Sequence, residues 1–313
     1  MTGAPPAATW KKLLAFAVIY IVWGSTYLAI RIGVHEVPPF LLAGMRFFAA
    51  GLALCLYSAA RGDRAPTARQ WRSASLLAAL IFVGDYGLLF WAEQRVPSGI
   101  AAVMLATIPA FIALAEILIL RSQRLTVRLA LSLLVGIAGV AVLVSRSASF
   151  GSSPIDTGGA VALLIAAVSW SVAAPLTRRL PLPAAKTMSS GAQMLAGGAM
   201  LAVASAALGE LRGFQPAAVS RAAWLALAYL VVAGSIIGFT AYLWLLHHES
   251  PTKVGTYAYV NPVVAVLVGY FLGGEPLGMR TVLGTLLVLV SVVVITMTPS
   301  GSGAAAPAPE QTA

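Results

Sequence analysis

Three ionisable side chains lie inside long apolar stretches of this 313-residue sequence: Arg46, Asp85 and Glu116. A charge in hydrocarbon is costly, so each is a candidate for function or for a buried pair. At 1.5 Å rise per residue, Arg46 lies about 12 Å below the end of its stretch, and Asp85 about 10 Å below the same end of the next one. Matching depth on sequential antiparallel helices allows the two to pair, either as a structural clamp or as part of a site. A buried pair tolerates the membrane far better than either charge alone. Asp85 is also the best candidate proton carrier, since burial favours the neutral acid and Arg46 the carboxylate. Protonating it would release Arg46 for an anionic group of a solute. Glu116, near the end of its stretch, is within reach of Arg121 or Arg124 and reads as an interfacial salt bridge.

Aromatic and helix-bending residues form a second set. Trp23 and Trp170 fall mid-stretch, away from the interfacial belt where tryptophan usually sits. They are either helix packing or a pair of indoles able to sandwich an apolar group. Tyr257, Tyr259 and Asn261 follow Gly255, and Tyr257 and Asn261, four residues apart, share a helix face. Trp10, Trp71, Trp91, Trp224 and Trp244 lie near stretch ends and read as belt anchors. Pro109, Pro175 and Pro262 allow kinks, and Pro109 and Pro262 are the hinge candidates, with plain packing the alternative. Gly234-x-x-x-Gly238 and Gly269-x-x-x-Gly273 permit close helix approach. No metal site or cofactor is expected: Cys55 is the single cysteine, His247 and His248 are adjacent, and His35 stands alone. There is no P-loop and no His-Glu-x-x-His motif.

The elements that must position these residues are membrane helices. Hydrophobic residues make up 59% of the chain and charged ones 10%, where a soluble domain carries about 25% charged residues. With a mean hydropathy of +0.90, most of the chain faces something other than water. That excludes a soluble enzyme and a disordered chain. Ten runs suffice to cross a ~30 Å hydrocarbon core: 13–30, 38–58, 74–92, 97–120, 125–145, 158–177, 188–208, 223–246, 254–272 and 277–297. The first follows Lys11-Lys12 but is too long for a typical signal peptide, so it reads as uncleaved. Residues 299–313, rich in Pro, Ser, Gly and Ala, read as a disordered tail.

The net charge of +10 could suggest nucleic acid, but the basic residues sit in short gaps between apolar runs, as topology-setting charges do. With the N-terminus inside, the inner gaps hold 13 of the 20 Lys and Arg and the outer ends hold 6, Arg46 lying within a span. The reading is therefore a multi-pass cell-membrane protein with both termini cytoplasmic and residues 147–157 outside.

The chain also repeats. An offset of 147 aligns Trp23 with Trp170, Arg31 with Arg178, Gly44 with Gly191, Ala49 with Ala196 and Gly51 with Gly198. Small loop insertions then bring Gly84 onto Gly234, Pro97 onto Pro251 and Pro109 onto Pro262. Five spans per copy is an odd number, so the second copy enters the membrane from the opposite face. Inverted repeats of this kind are a transporter architecture, with the solute bound near midplane between the halves. The fold class is thus an all-α membrane protein of ten helices in two inverted repeats, 10–147 and 155–298. Arg46 aligns with Gln193, Asp85 with Ser235 and Glu116 with Gly269, leaving one wall polar and the other less so.

The stretches Trp23-Gly24-Ser25-Thr26, Leu42-Ala43-Gly44-Met45-Arg46-Phe47 and Asn261-Pro262 resemble the drug/metabolite transporter superfamily, specifically its EamA-type exporters. The resemblance covers residues 10–298 and implies a transporter of some small molecule, amino acids and other metabolites among them. The family's Gly-Glu pair occurs as Gly274-Glu275 in the second half, while the first half has Leu120-Arg121-Ser122 at that place. The expected function is secondary transport, directed outward, by alternating access. The expected site lies between the halves and is bounded by Trp23, Arg46, Trp170, Gln193, Tyr257 and Asn261. A passive facilitator and, more remotely, a membrane-embedded enzyme are the alternatives.

Overall fold

The structure is a computed structural model that describes residues 9–118, 126–144, 155–177, 179–249, 254 and 256–297. Among these residues every regular element is a helix, with no strand. Hydrocarbon supplies no hydrogen bonds, so each segment must satisfy its own backbone, which a helix does. Six helical stretches are long and apolar enough to cross a membrane: Thr9–Val34, Pro39–Ala60, Ala68–Glu93, Thr157–Ala174, Lys186–Ala207 and Arg221–Leu245. Four shorter apolar helices complete the set, Ser98–Ile112, Val127–Leu143, Tyr257–Gly273 and Met279–Val294. These are spans 1, 2, 3, 6, 7 and 8, and spans 4, 5, 9 and 10, in the order of the sequence. Their outer surface is apolar, with Leu56, Ile137, Val203, Leu225 and Phe271 among the exposed side chains. Such a surface is built for lipid.

The sequence repeat is also a repeat of contacts. Spans 2 and 7 pack antiparallel across the glycines that aligned at offset 147. A Cβ on Gly44 would stand 3.2 Å from the Ala202 amide nitrogen, and one on Gly191 2.9 Å from that of Cys55. On Gly51 and Gly198 it would overlap the backbone of Leu195 and Phe48. Each glycine of one half thus faces the other half's copy of its neighbour, as a two-fold axis requires. Spans 5 and 10 pair in the same antiparallel way, Gly136 on Ser291 and Gly139 on Val288. Span 3 meets span 6 through Ser169, which donates to the Leu80 carbonyl at 2.8 Å. Span 8 meets span 1 through Trp23, which donates to the Gly234 carbonyl at 3.0 Å.

Two irregularities bear on the site. Spans 3 and 8 open into π-helical turns over Ala79–Gly87 and Leu230–Ile237, equivalent positions in the two halves, and span 1 does so over Val18–Val22. Span 4 breaks in a turn at residues 106–107, and Pro109 lies in the first turn of the helix that resumes at Ile108. Its repeat partner Pro262 lies inside an unbroken helix, Tyr257–Gly273. The two hinge candidates are therefore not equivalent. The side chains of Glu116 and Pro175, residues 119–125 with Arg121 and Arg124, and the tail from 298 onward lie outside the described residues.

Candidate functional site

Arg46 is 3% exposed, at the centre of the bundle. Its Nε donates to Ser235 Oγ on span 8 at 3.0 Å. Its guanidinium carbon lies 4.7, 5.5 and 5.9 Å from the ring centres of Phe47, Tyr86 and Phe90. Three aromatic rings offset part of the cost of removing this cation from water. Gly234 makes the room, since a Cβ there would come within 3.3 Å of Arg46 Nη2. The Nη1 nitrogen is buried without a partner.

Asp85 is equally buried, and its Oδ1 has no hydrogen-bond partner. The pair expected between Arg46 and Asp85 is not formed: the ion pairs among the described residues are Lys12–Glu249 and Arg31–Glu275. The depths agree but the directions do not. Neighbouring residues on a helix point about 100° apart, and it is Tyr86 that turns its ring to Arg46 and Phe47. Arg46 instead crosses between the halves to Ser235, the repeat counterpart of Asp85. Releasing Arg46 by protonating Asp85 falls with the pair. Tyr27 and Tyr86 lie within electrostatic range of both groups.

The other expected residues fall into separate neighbourhoods. Trp170 meets Tyr86 edge to face at 6.3 Å. Trp23 lies against Tyr257 at 5.2 Å and Tyr242 at 5.4 Å, in an aromatic cluster of spans 1, 8 and 9. The two indoles do not touch each other; each packs on tyrosines of the other half. Asn261, with its amide oriented by its acceptors, donates to the carbonyls of Ile19, Tyr20 and Tyr257 at 3.2–3.3 Å. Ile19 and Tyr20 lie in the π-helical turn of span 1, where the Tyr20 carbonyl also accepts from the Trp23 amide. Gln193 turns back on its own helix, donating to Ser189 O and Oγ at 3.1 and 3.3 Å. It does not oppose Arg46 as a second free donor. What the structure does bring together is Arg46, Ser235, Tyr86, Tyr27 and Asp85, with Trp170 behind Tyr86.

One end of the bundle carries residues that the sequence reading passed over. Glu93, the last residue of span 3, is fully buried, and neither of its carboxyl oxygens has a partner. Glu275 accepts from the Ser98 amide at 2.7 Å and the Gly99 amide at 3.1 Å, with Arg31 Nε at 3.5 Å. Gly274, at φ +64°, ends span 9 in a left-handed turn, and the Glu275 amide bonds back to the Gly269 carbonyl at 2.9 Å. Glu36, in the loop after span 1, accepts from Ser220 N and Oγ, and these two donors hold its carboxyl below the usual glutamate range. A groove of about 480 Å³ lies at the same end, between the loops that carry Glu36, Glu210 and Phe214. It touches none of the residues expected to bind a solute. The Gly-Glu motif points to Glu275, whereas Glu93 directly follows the apolar run 74–92 and reads in the sequence as the start of a loop.

Two five-span halves of opposite orientation, meeting over buried polar groups that lack partners, define the architecture of a membrane transporter. The chain belongs to the EamA-like transporter family, whose profile matches it twice, over residues 10–145 and 157–297. It is 38% identical over 265 residues to the uncharacterized inner membrane transporter YedA of Escherichia coli K12, covering 84% of this chain and 83% of that one. It is 26% identical over 269 residues to the protein PecM of Dickeya dadantii, covering 85% and 86%. A solved crystal structure at 24% identity shares the fold, with a TM-score of 0.59 over 92% of this chain and 96% of that one. Transport rather than catalysis is what this family membership assigns.

Proposed function

We propose that this protein is a multi-pass inner-membrane exporter that moves a small organic solute by alternating access, with both termini in the cytoplasm. The solute sits near midplane and is oriented by Arg46. The observation that carries this reading is the buried guanidinium, which keeps one nitrogen free among three aromatic rings. A charge left unpaired in hydrocarbon is expensive, and a carboxylate or similar anionic group of the solute satisfies it. The rings of Tyr86 and Trp170 lie beside that place and favour an apolar body. Asp85, with its own free oxygen, takes the solute's ammonium or, when the site is empty, a proton. Solute and proton then compete for one carboxylate, which couples outward solute movement to inward proton movement. The solute class that fits is an amino acid with an apolar side chain or a metabolite of like charge.

Purified protein in proteoliposomes tests this with a panel of amino acids and cationic drugs, assayed with and without a pH gradient. Uptake of an apolar amino acid that rises with the gradient and is lost in Arg46→Gln is the expected result. In Asp85→Asn the gradient should no longer matter. Equal transport with and without the gradient would make the protein a passive facilitator and overturn the coupling. Normal transport by Arg46→Gln would move the site elsewhere.

A further inference from the structure

At one end of the bundle, carboxylates reach from one half to the helix starts of the other. Glu210 accepts from the Phe40 and Leu41 amides at 3.4 and 3.0 Å, at the start of span 2. Glu36 holds Ser220 at the start of span 8, and Glu275 the first amides of span 4. Helix N-termini present unsatisfied N–H groups and a partial positive charge, so these contacts are charge-assisted. The Glu275 contact differs from the others in having a second acid beside it. Glu93 is fully buried with both oxygens unpartnered. The charged groups that act on it are Glu275 and Arg31, and Tyr27 of span 1 faces it as well. Spans 2, 4 and 6, which also pack on its helix, bring no further charge to bear on it.

Arg31 Nε lies 3.5 Å from Glu275, and its Nη1 donates at 2.8 Å to the Val96 carbonyl, three residues beyond Glu93. Glu275 has two amide donors and Arg31, while Glu93 has no donor. A buried carboxyl without a donor is costly when charged, and Glu93 is such a group. The position of Glu275 is itself fixed, by the left-handed Gly274 and by a notch over Gly269, where a Cβ would meet its carboxyl.

We propose that Glu93 is a proton-carrying residue of the transport cycle, and that its protonated form keeps the Arg31–Glu275 latch closed between span 4 and the loop joining spans 9 and 10. Once ionised, Glu93 competes with Glu275 for Arg31. Glu275 then loses its counter-charge, its hold on the Ser98 and Gly99 amides weakens, and loop 274–278 is freed from span 4. A proton from the water at that end, added to the Glu93 carboxylate, returns Arg31 to Glu275 and closes the latch. In the orientation proposed above, this end faces outside, so each closure takes up one outside proton. The inference rests on the transporter reading for its place in a cycle, while the latch itself is read from geometry.

The test uses the full-length protein in nanodiscs and needs no solute. Amide hydrogen exchange across residues 96–105, corrected for intrinsic pH dependence, reports the latch, and infrared difference spectra report protonated carboxyls. In the unaltered protein the segment should lose protection as pH rises, by roughly tenfold, as expected for losing a charge-assisted hydrogen bond. Glu93→Gln, a neutral mimic of the acid, should stay protected at every pH and lose one carboxyl band. Glu275→Gln should be unprotected throughout. Glu93→Asp, which keeps a titratable acid, should keep a pH response and so covers the case in which the glutamine variant misfolds. Wild-type pH dependence in Glu93→Gln, or an unchanged infrared spectrum, would overturn the proposal. A pH-sensitive latch in a protein that moves none of the solutes would instead sink the transport reading alone.

Discussion

Arg46 and Asp85 occupy the depths that their positions along the chain dictate, yet they point to different neighbours. Rise per residue is a backbone constant, so depth can be read from any helical sequence. Azimuth cannot be read here, because spans that are apolar all round carry no stripe to show which face turns inward. The π-helical turn at Ala79–Gly87 rotates that face further. Arg46 and Asp85 were recognisable as buried charges; that Arg46 bonds to Ser235 rather than to Asp85 was not. A double-mutant cycle measures the difference. If they formed a buried pair, removing one partner alone would cost about 3–5 kcal/mol and removing both would cost less than the sum. In the observed geometry, with no direct pair to lose, the double variant of Arg46→Gln and Asp85→Asn should be less stable than either single variant. A double variant more stable than either single one would restore the pair.

The helices meet where the sequence offers small residues, and at this scale much was legible. Gly44, Gly51, Gly191 and Gly198 were visible as repeat identities, and they prove to be the seam between spans 2 and 7. Gly234 and Gly238 make room for Thr26, Arg46 and Trp23, and Gly269 and Gly273 for Glu275 and Leu28. The break before Pro109 could be expected at a proline, whereas the unbroken helix around Pro262 shows that the same residue is tolerated where neighbours re-satisfy the backbone. The reach of span 3 to Glu93 was hidden, since a charged residue at the end of an apolar run reads as a loop. The seam makes a graded prediction. A methyl group on Gly198 collides with the Phe48 backbone, which cannot move aside as a side chain could, while one on Gly44 meets backbone only at 3.2 Å and beyond. Gly198→Ala should therefore cost about 1–3 kcal/mol, typical of overpacking, and Gly44→Ala distinctly less. Thermal unfolding of the purified variants gives the order, and equal losses would mean that the seam is looser than it is drawn.

For the whole molecule, the two-fold relation between the halves sets which helices run together but leaves open which end faces the cytoplasm. Contacts within the bundle are the same whichever way it sits; the sign comes from charges at the membrane surface. Of 20 Lys and Arg, 13 fall at the ends of the helices on the side that carries Lys11 and Lys12, and 6 on the other. Basic residues are retained on the cytoplasmic side during insertion, and this bias is read over short loops such as these. The opposite end carries Glu36, Glu210 and Glu275, the acids that link the halves there, and the buried Glu93. Acids weigh little in the topology rule, so the orientation rests on the basic count, which is lopsided in the first half and nearly balanced in the second. A reporter in the second half is therefore the stringent one. Alkaline phosphatase, active only outside the cytoplasm, should be active when fused after Arg146 and inactive when fused after Arg179. A second pair of fusions, active after Arg212 and inactive after Lys253, probes the weaker half. The reverse pattern would place Glu93 and its latch on the cytoplasmic side, where a proton closing it would come from within the cell and would oppose export rather than drive it.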